Sequence, residues 1–174
     1  MIASSTSRQV TVGSCSAFPP SAALMLIGAL VAFGHFLAFF ALTAAMVLEL
    51  TLISESMSVE VGRRIRRADR IAGLFAGLLL LFGTLRVMYF EKGGEFYADN
   101  LFFQIKIGLF VLAALISIYP TITFARWKHD LDQGVAPVLR IEQVKSLRRA
   151  LHWELVLIAG ILFCASLMAR GIGS

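Results

Sequence analysis

Between Ser21 and Leu48 there is no charged side chain, and an unbroken apolar run of 28 residues leaves a chain few ways to fold. Wound as a helix at about 1.5 Å per residue it is about 42 Å long, more than the roughly 30 Å hydrocarbon core of a bilayer requires. A secretory signal has a shorter apolar region behind a basic leader, so the run predicts a retained membrane span.

Three further apolar blocks follow. Residues 71–90 are uncharged but for Arg86, and residues 101–125 are uncharged but for Lys106 and carry Pro120 near their far end. The fourth block, 151–169, is shorter, has His152 and Glu154 in its first turn, and is flanked by arginines that can snorkel to an interface. Composition agrees: 58% of the residues are hydrophobic, 16% are charged and the mean hydropathy is +0.80, which excludes a soluble domain. The expected fold is an all-α integral membrane four-helix bundle. One domain covers 21–171, with spans at about 21–50, 71–90, 101–125 and 151–169, behind a loose tail over 1–20 that ends at Pro19 and Pro20. Cys15 and Cys164 have neither disulfide-framework nor metal-ligand spacing.

The formal charge of +5 would point to nucleic acid in a soluble protein, but its distribution says otherwise. Arg63, Arg64, Arg66, Arg67 and Arg70 lie between the first two spans, and Arg126, Lys128, Arg140, Lys145, Arg148 and Arg149 between the last two. The connection over 91–100 has Lys92 against Glu91, Glu95 and Asp99. The positive-inside rule then puts both basic segments in the cytoplasm and both termini outside, with the lipid bilayer as partner and no nucleic acid. Gly73 with Gly77 and Gly28 with Ala32 are small-xxx-small pairs, which permit close packing within a bundle, in a homodimer or against another membrane protein.

Polar groups in hydrocarbon are costly, about 2.5–3.5 kcal/mol for a central Arg or Lys, so each one requires an account. Arg86 lies four residues before the outer end of the second span and Lys106 five after the start of the third, roughly 6–8 Å below the outer surface. They either snorkel outward or form an outward-facing cationic pocket for a carboxylate or phosphate, with Tyr89 and Tyr97 near its rim. His35, about 21 Å from Ser21 and near mid-bilayer, is the one plausible metal or haem ligand in a span, and its alternative is a hydrogen-bonded packing role. Glu49 follows it at two seven-residue steps through Leu42, on nearly the same face. No second histidine sits at that depth, so a haem would be five-coordinate or take Lys106 or Met88 as its other ligand. Near the cytoplasmic interface, Glu49, Arg67, Asp69, Arg70, Tyr119, Arg126, His152 and Glu154 fall in one layer. The expectation there is a structural group of Glu49, Arg67, Asp69, Arg70, Tyr119 and Arg126, with Arg63–Arg70 as a helix-entry and lipid-anchor run and the Ser117–Thr121 hydroxyls repairing the backbone around Pro120; the alternative is an Arg–Glu network joining the first two spans.

His35-Phe-Leu-Ala-Phe-Phe-Ala-Leu with Glu49-Leu50, Arg67-Ala-Asp69-Arg70, Arg86-Val-Met-Tyr89-Phe-Glu-Lys92-Gly93, Phe102-Phe-Gln-Ile-Lys106, Ser117-Ile-Tyr-Pro120-Thr121, Arg126-Trp127 and Met168-Ala-Arg170-Gly171 together resemble an uncharacterised bacterial membrane family, the domain of unknown function twenty-two fourteen. The resemblance covers residues 35–171 and implies a four-helix fold in the inner membrane. More distantly, the order is similar to the HemJ-type protoporphyrinogen oxidases, four-helix proteins that bind b-type haem. That resemblance sets His35, Arg67 with Arg70, and Lys106 at corresponding places. The function favoured by these readings is a b-type haem-binding redox protein with His35 as ligand and Arg86 and Lys106 as the propionate pocket. The competing readings are a non-enzymatic accessory or assembly subunit of a larger membrane complex and a small dimeric transporter. The residues assign no reaction.

Overall fold

A computed structural model describes residues 22–90 and 100–172. The N-terminal tail with Cys15, and the acidic connection with Glu91, Lys92, Glu95, Tyr97 and Asp99, lie outside the described residues. The helices are α1 (Ala22–Leu52), α2 (Val59–Leu85), α3 (Leu101–Arg126), α4 (Lys128–Asp132) and α5 (Ile141–Ala169), and α2 runs on into a five-residue π-helical segment, Arg86–Phe90. Among the described residues four helices are long and apolar enough to cross a membrane.

Two of the four begin well before their apolar blocks. The arginine-rich segment before Ile71 is the first part of α2, started at Ser58, whose hydroxyl accepts from the Val61 amide at 3.2 Å. Arg, Ala and Ile extend a helix readily once it is capped, so polarity here ends the membrane-crossing part without ending the helix. Likewise α5 starts at Ile141, where the Arg140 amide donates to Gln143 Oε1 at 3.0 Å. Both segments had been expected as connections. Asn100 starts α3, accepting from the Phe103 amide at 3.1 Å.

α1 packs along α2 and α3 along α5, and the two pairs meet through lighter α1–α5 and α2–α3 contacts. The helix pairs are stitched at the end that carries the arginines, called the basic end below. The α1–α2 connection bridges antiparallel to the α4–α5 connection at Ser56 and Val138, and the Leu139 amide donates to the Glu55 carbonyl at 3.2 Å. Arg148 Nη2 donates to the Ile53 carbonyl at 2.7 Å and Arg63 Nη2 to the Leu131 carbonyl at 3.0 Å. Each guanidinium thus serves a carbonyl at a helix C-terminus, where positive charge is favoured. Gly62 lies under this stitch: an added Cβ would stand 2.9 Å from Leu131 Cδ2 and 3.2 Å from Pro137.

Buried side chains form two apolar layers. The one at the basic end contains Ile53, Ile65, Phe124, Trp127, Leu131, Leu147 and Leu151. The deeper one contains Leu42, Met46 and Ile158, with Phe39, Ala72, Phe75, Ala76 and Leu155 against it. The rest of each helix presents large apolar residues outward, such as Leu30, Phe40, Leu74, Leu115 and Phe163, as a bilayer requires. Hydroxyls of Thr43, Thr84, Thr123 and Ser166 turn back to the carbonyls of Phe39, Leu80, Tyr119 and Leu162 at 2.8–2.9 Å. Gly73 and Gly77 are exposed, whereas their neighbours Ala72 and Ala76 face the bundle, which settles which small-residue face of α2 is internal.

Leu147 is fully buried and Leu115 is not, so Leu147→Ala should cost about 2–5 kcal/mol and Leu115→Ala much less. Unfolding midpoints in one detergent, compared side by side, check the difference.

Candidate functional site

Two groups of polar side chains lie within the apolar helices, and they are separate. The first is away from the basic end, at the α1–α2 contact. The imidazole of His35 packs on Gly83, whose added Cβ would meet Cε1 at 3.2 Å and Nδ1 at 3.6 Å, and Nδ1 is buried. Glycine at 83 is what lets the ring lie flush against α2. One turn on, Arg86 opens the π-helical segment and its guanidinium carbon stands 5.8 Å from the Phe36 ring centroid, a cation–π distance. His35 and Arg86 therefore meet the same stretch of helix–helix contact. π-Helical turns widen the backbone and recur at functional sites. Lys106 instead stands 5.0 Å from the ring centroid of Phe103 on its own helix, and Tyr89 is largely exposed. Of the four residues expected to bind a cofactor, His35 and Arg86 meet the same stretch of the α1–α2 contact.

The second group lies between the two apolar layers, in a cavity of about 70 Å³. Its polar lining comes from all four long helices: Glu49 of α1, Asp69 of α2, Ser117 and Thr121 of α3, and Glu154 of α5. Glu49 is 3% exposed and Glu154 is 4% exposed, and Oε1 of each is buried with no hydrogen-bond partner. Asp69, partly buried, accepts from the Thr121 hydroxyl at 2.7 Å. Pro120, fully buried beside them, cannot donate to the carbonyl four residues back, so it leaves a backbone acceptor of α3 without its amide.

The alternative Arg–Glu network is not formed. Arg67 is exposed and lines a different groove, of about 340 Å³, with Ala41, Ala44, Ala45, Leu48 and Arg64, while Arg70 Nε donates to the Arg66 carbonyl at 3.4 Å. Tyr119 and Arg126 are exposed on α3. The reason is helical phase: Asp69 lies on the inward stripe with Ile65 and Ala72, and Arg67 and Arg70 fall outside it. Arg64 pairs with Glu60, at 3.3 Å on the exposed face of α2. An ionised carboxylate buried without a counter-charge costs several kcal/mol, so an interior holding three carboxylates and no paired cation is a chemical feature in its own right. No three His, Cys, Asp or Glu side chains among the described residues are arranged to hold a metal ion.

Glu154 was placed by sequence reading in the first turn of the last span. It is in mid-helix, because α5 begins at Ile141. The available signal was spacing: Leu147, Leu151, Glu154 and Ile158 follow one another at steps of four, three and four, as Leu42, Met46, Glu49 and Ile53 do at four, three and four. A carboxylate in register with two apolar stripes marks a common inward layer.

Comparison with curated proteins and with solved structures finds no match. The profile of DUF2214, described as a predicted membrane protein, matches residues 27–173. The match takes in all four long helices apart from the first turn of α1, together with both polar groups, and by it this chain belongs to DUF2214, a family of predicted membrane proteins.

Proposed function

We propose that this chain is a redox protein of the bacterial inner membrane that holds a b-type haem through His35, with Arg86 and Lys106 receiving the propionates. The observation that carries the reading is the shared α1–α2 contact of the His35 imidazole, seated on Gly83, and the Arg86 guanidinium one turn beyond. A ligating histidine needs its ring held in one orientation, and the packing of the His35 imidazole on Gly83 supplies that constraint. Haem would supply one-electron chemistry; the chain's own part is to hold, orient and neutralise. The 70 Å³ cavity and the 340 Å³ groove lie toward the basic end and are lined by other residues, so neither belongs to this site. In this reading the basic end faces the cytoplasm, as the arginines of α2 and α5 favour, and both termini face outward.

The visible spectrum of the detergent-purified protein, expressed with ample haem, tests the reading. A Soret band is expected in the wild type and its loss in His35→Ala. Gly83→Leu should lose the band too, because the new side chain occupies the place of the imidazole. A wild type without the band, or a band unchanged in His35→Ala, overturns it.

A second reading, a non-enzymatic accessory subunit of a larger membrane complex, has its own support. Gly73 and Gly77 are exposed, with nothing within 4 Å of an added Cβ, so a small-residue pair faces outward and permits close approach of another helix. Purification from native membranes should then bring a partner with the wild type and release it from Gly77→Leu, with unfolding of the isolated chain unchanged. A wild type that purifies alone counts against it.

A further inference from the structure

We propose that Glu49, Asp69 and Glu154 form an intramembrane proton-binding site, in which a proton is taken up together with water in the cavity they line. The proposal stands apart from the haem reading and uses none of its residues.

The space fits water. A cavity of about 70 Å³ is large enough for water, and a buried water needs two to four polar partners. The lining supplies them: unpartnered Oε1 atoms of Glu49 and Glu154, the Asp69 carboxylate with the Thr121 hydroxyl on it at 2.7 Å, and Ser117. Leu42, Met46, Ala72, Ala76 and Leu151 supply the cavity's apolar lining.

Charge balance identifies the ligand. The charged groups that face the site are Glu49 from α1, Asp69 from α2 and Glu154 from α5, and α3 contributes hydroxyls only. Arg66 and Arg70 of α2 act on Asp69 from a distance and pair with none of the three, and Arg148 of α5 is committed to the Ile53 carbonyl. Three carboxylates around one small, largely apolar cavity cannot all stay ionised without a counter-charge, and no three of these side chains are arranged to hold a metal ion. A hydronium delivers the missing charge: its proton bonds to a carboxylate oxygen, one neutral water remains in the cavity, and the new O–H donates to a neighbouring carboxylate. Loss of that proton leaves like charges on three helices around one cavity, so proton occupancy bears on how closely α1, α2 and α5 pack.

Dicyclohexylcarbodiimide, which enters apolar regions and adds to protonated carboxyls, tests this on the full chain in liposomes, with adducts mapped by mass spectrometry. The expected result is an adduct on one of the three carboxyls that diminishes as the pH is raised, while a water-soluble carbodiimide modifies the exposed Glu60 instead. Glu49→Gln and Glu154→Gln should each remove the adduct from the substituted position. The infrared acid-minus-alkaline difference spectrum of the wild type should show a protonated-carboxyl C=O band, a readout that needs no variant to fold. Absence of both adduct and band overturns the proposal. So does labelling that is indifferent to pH, or protection by sodium at fixed pH, which would assign the site to a metal cation.

Discussion

A polar group in hydrocarbon has to be satisfied from within the protein, and every feature of this chain follows from how that is met or left unmet. The backbone meets it by staying helical through each crossing. Thr43, Thr84, Thr123 and Ser166 meet it by turning back to a carbonyl of their own helix. Asp69 meets it through Thr121 of another helix. Glu49 and Glu154, almost wholly buried and each with an oxygen lacking a donor, are where the requirement is left to something other than side chains among the described residues.

What brings these carboxylates to one level is the basic end. There the two helix pairs share an apolar layer with several fully buried members, and their connections bridge at Ser56 and Val138. Arg63 and Arg148 hold carbonyls at helix C-termini across that junction. With the ends fixed relative to one another, the first inward positions below the shared layer are Glu49, Asp69 and Glu154, and the next are Met46, Ala72 and Ile158. The arginines therefore have a structural part in addition to any effect on orientation. The outer polar group answers to a different contact, the close approach of α1 to α2 at Gly83, which is why the two groups can be altered independently.

Much of this was legible. The four apolar runs, the arginine clusters beside them and the place of His35 within the first run come directly from residue order. The helix starts at Val59 and Ile141 were not, because a run of arginines lowers hydropathy without lowering helix propensity, and a hydropathy reading stops where the helix does not. Glu49 and Asp69 were expected in one layer, with arginines as partners in the Arg–Glu alternative; the inward phase of Asp69 and the outward phase of Arg67 and Arg70 decided otherwise. Glu154 reads as a first-turn residue only if the last helix starts at Leu151, ten residues after its start at Ile141.

The sequence by itself determined the number of crossings, their order and the clustering of positive charge, since transfer into hydrocarbon is close to a sum over residues and can be read along the chain. It did not determine which helix lies beside which, which face of each turns inward, or that carboxylates from α1, α2 and α5 share one cavity. Those depend on the rotation of each helix about its axis, which is set by packing among segments about a hundred residues apart, such as Ile53 against Leu147 and Leu151 in the layer at the basic end, and only the tertiary structure holds that information.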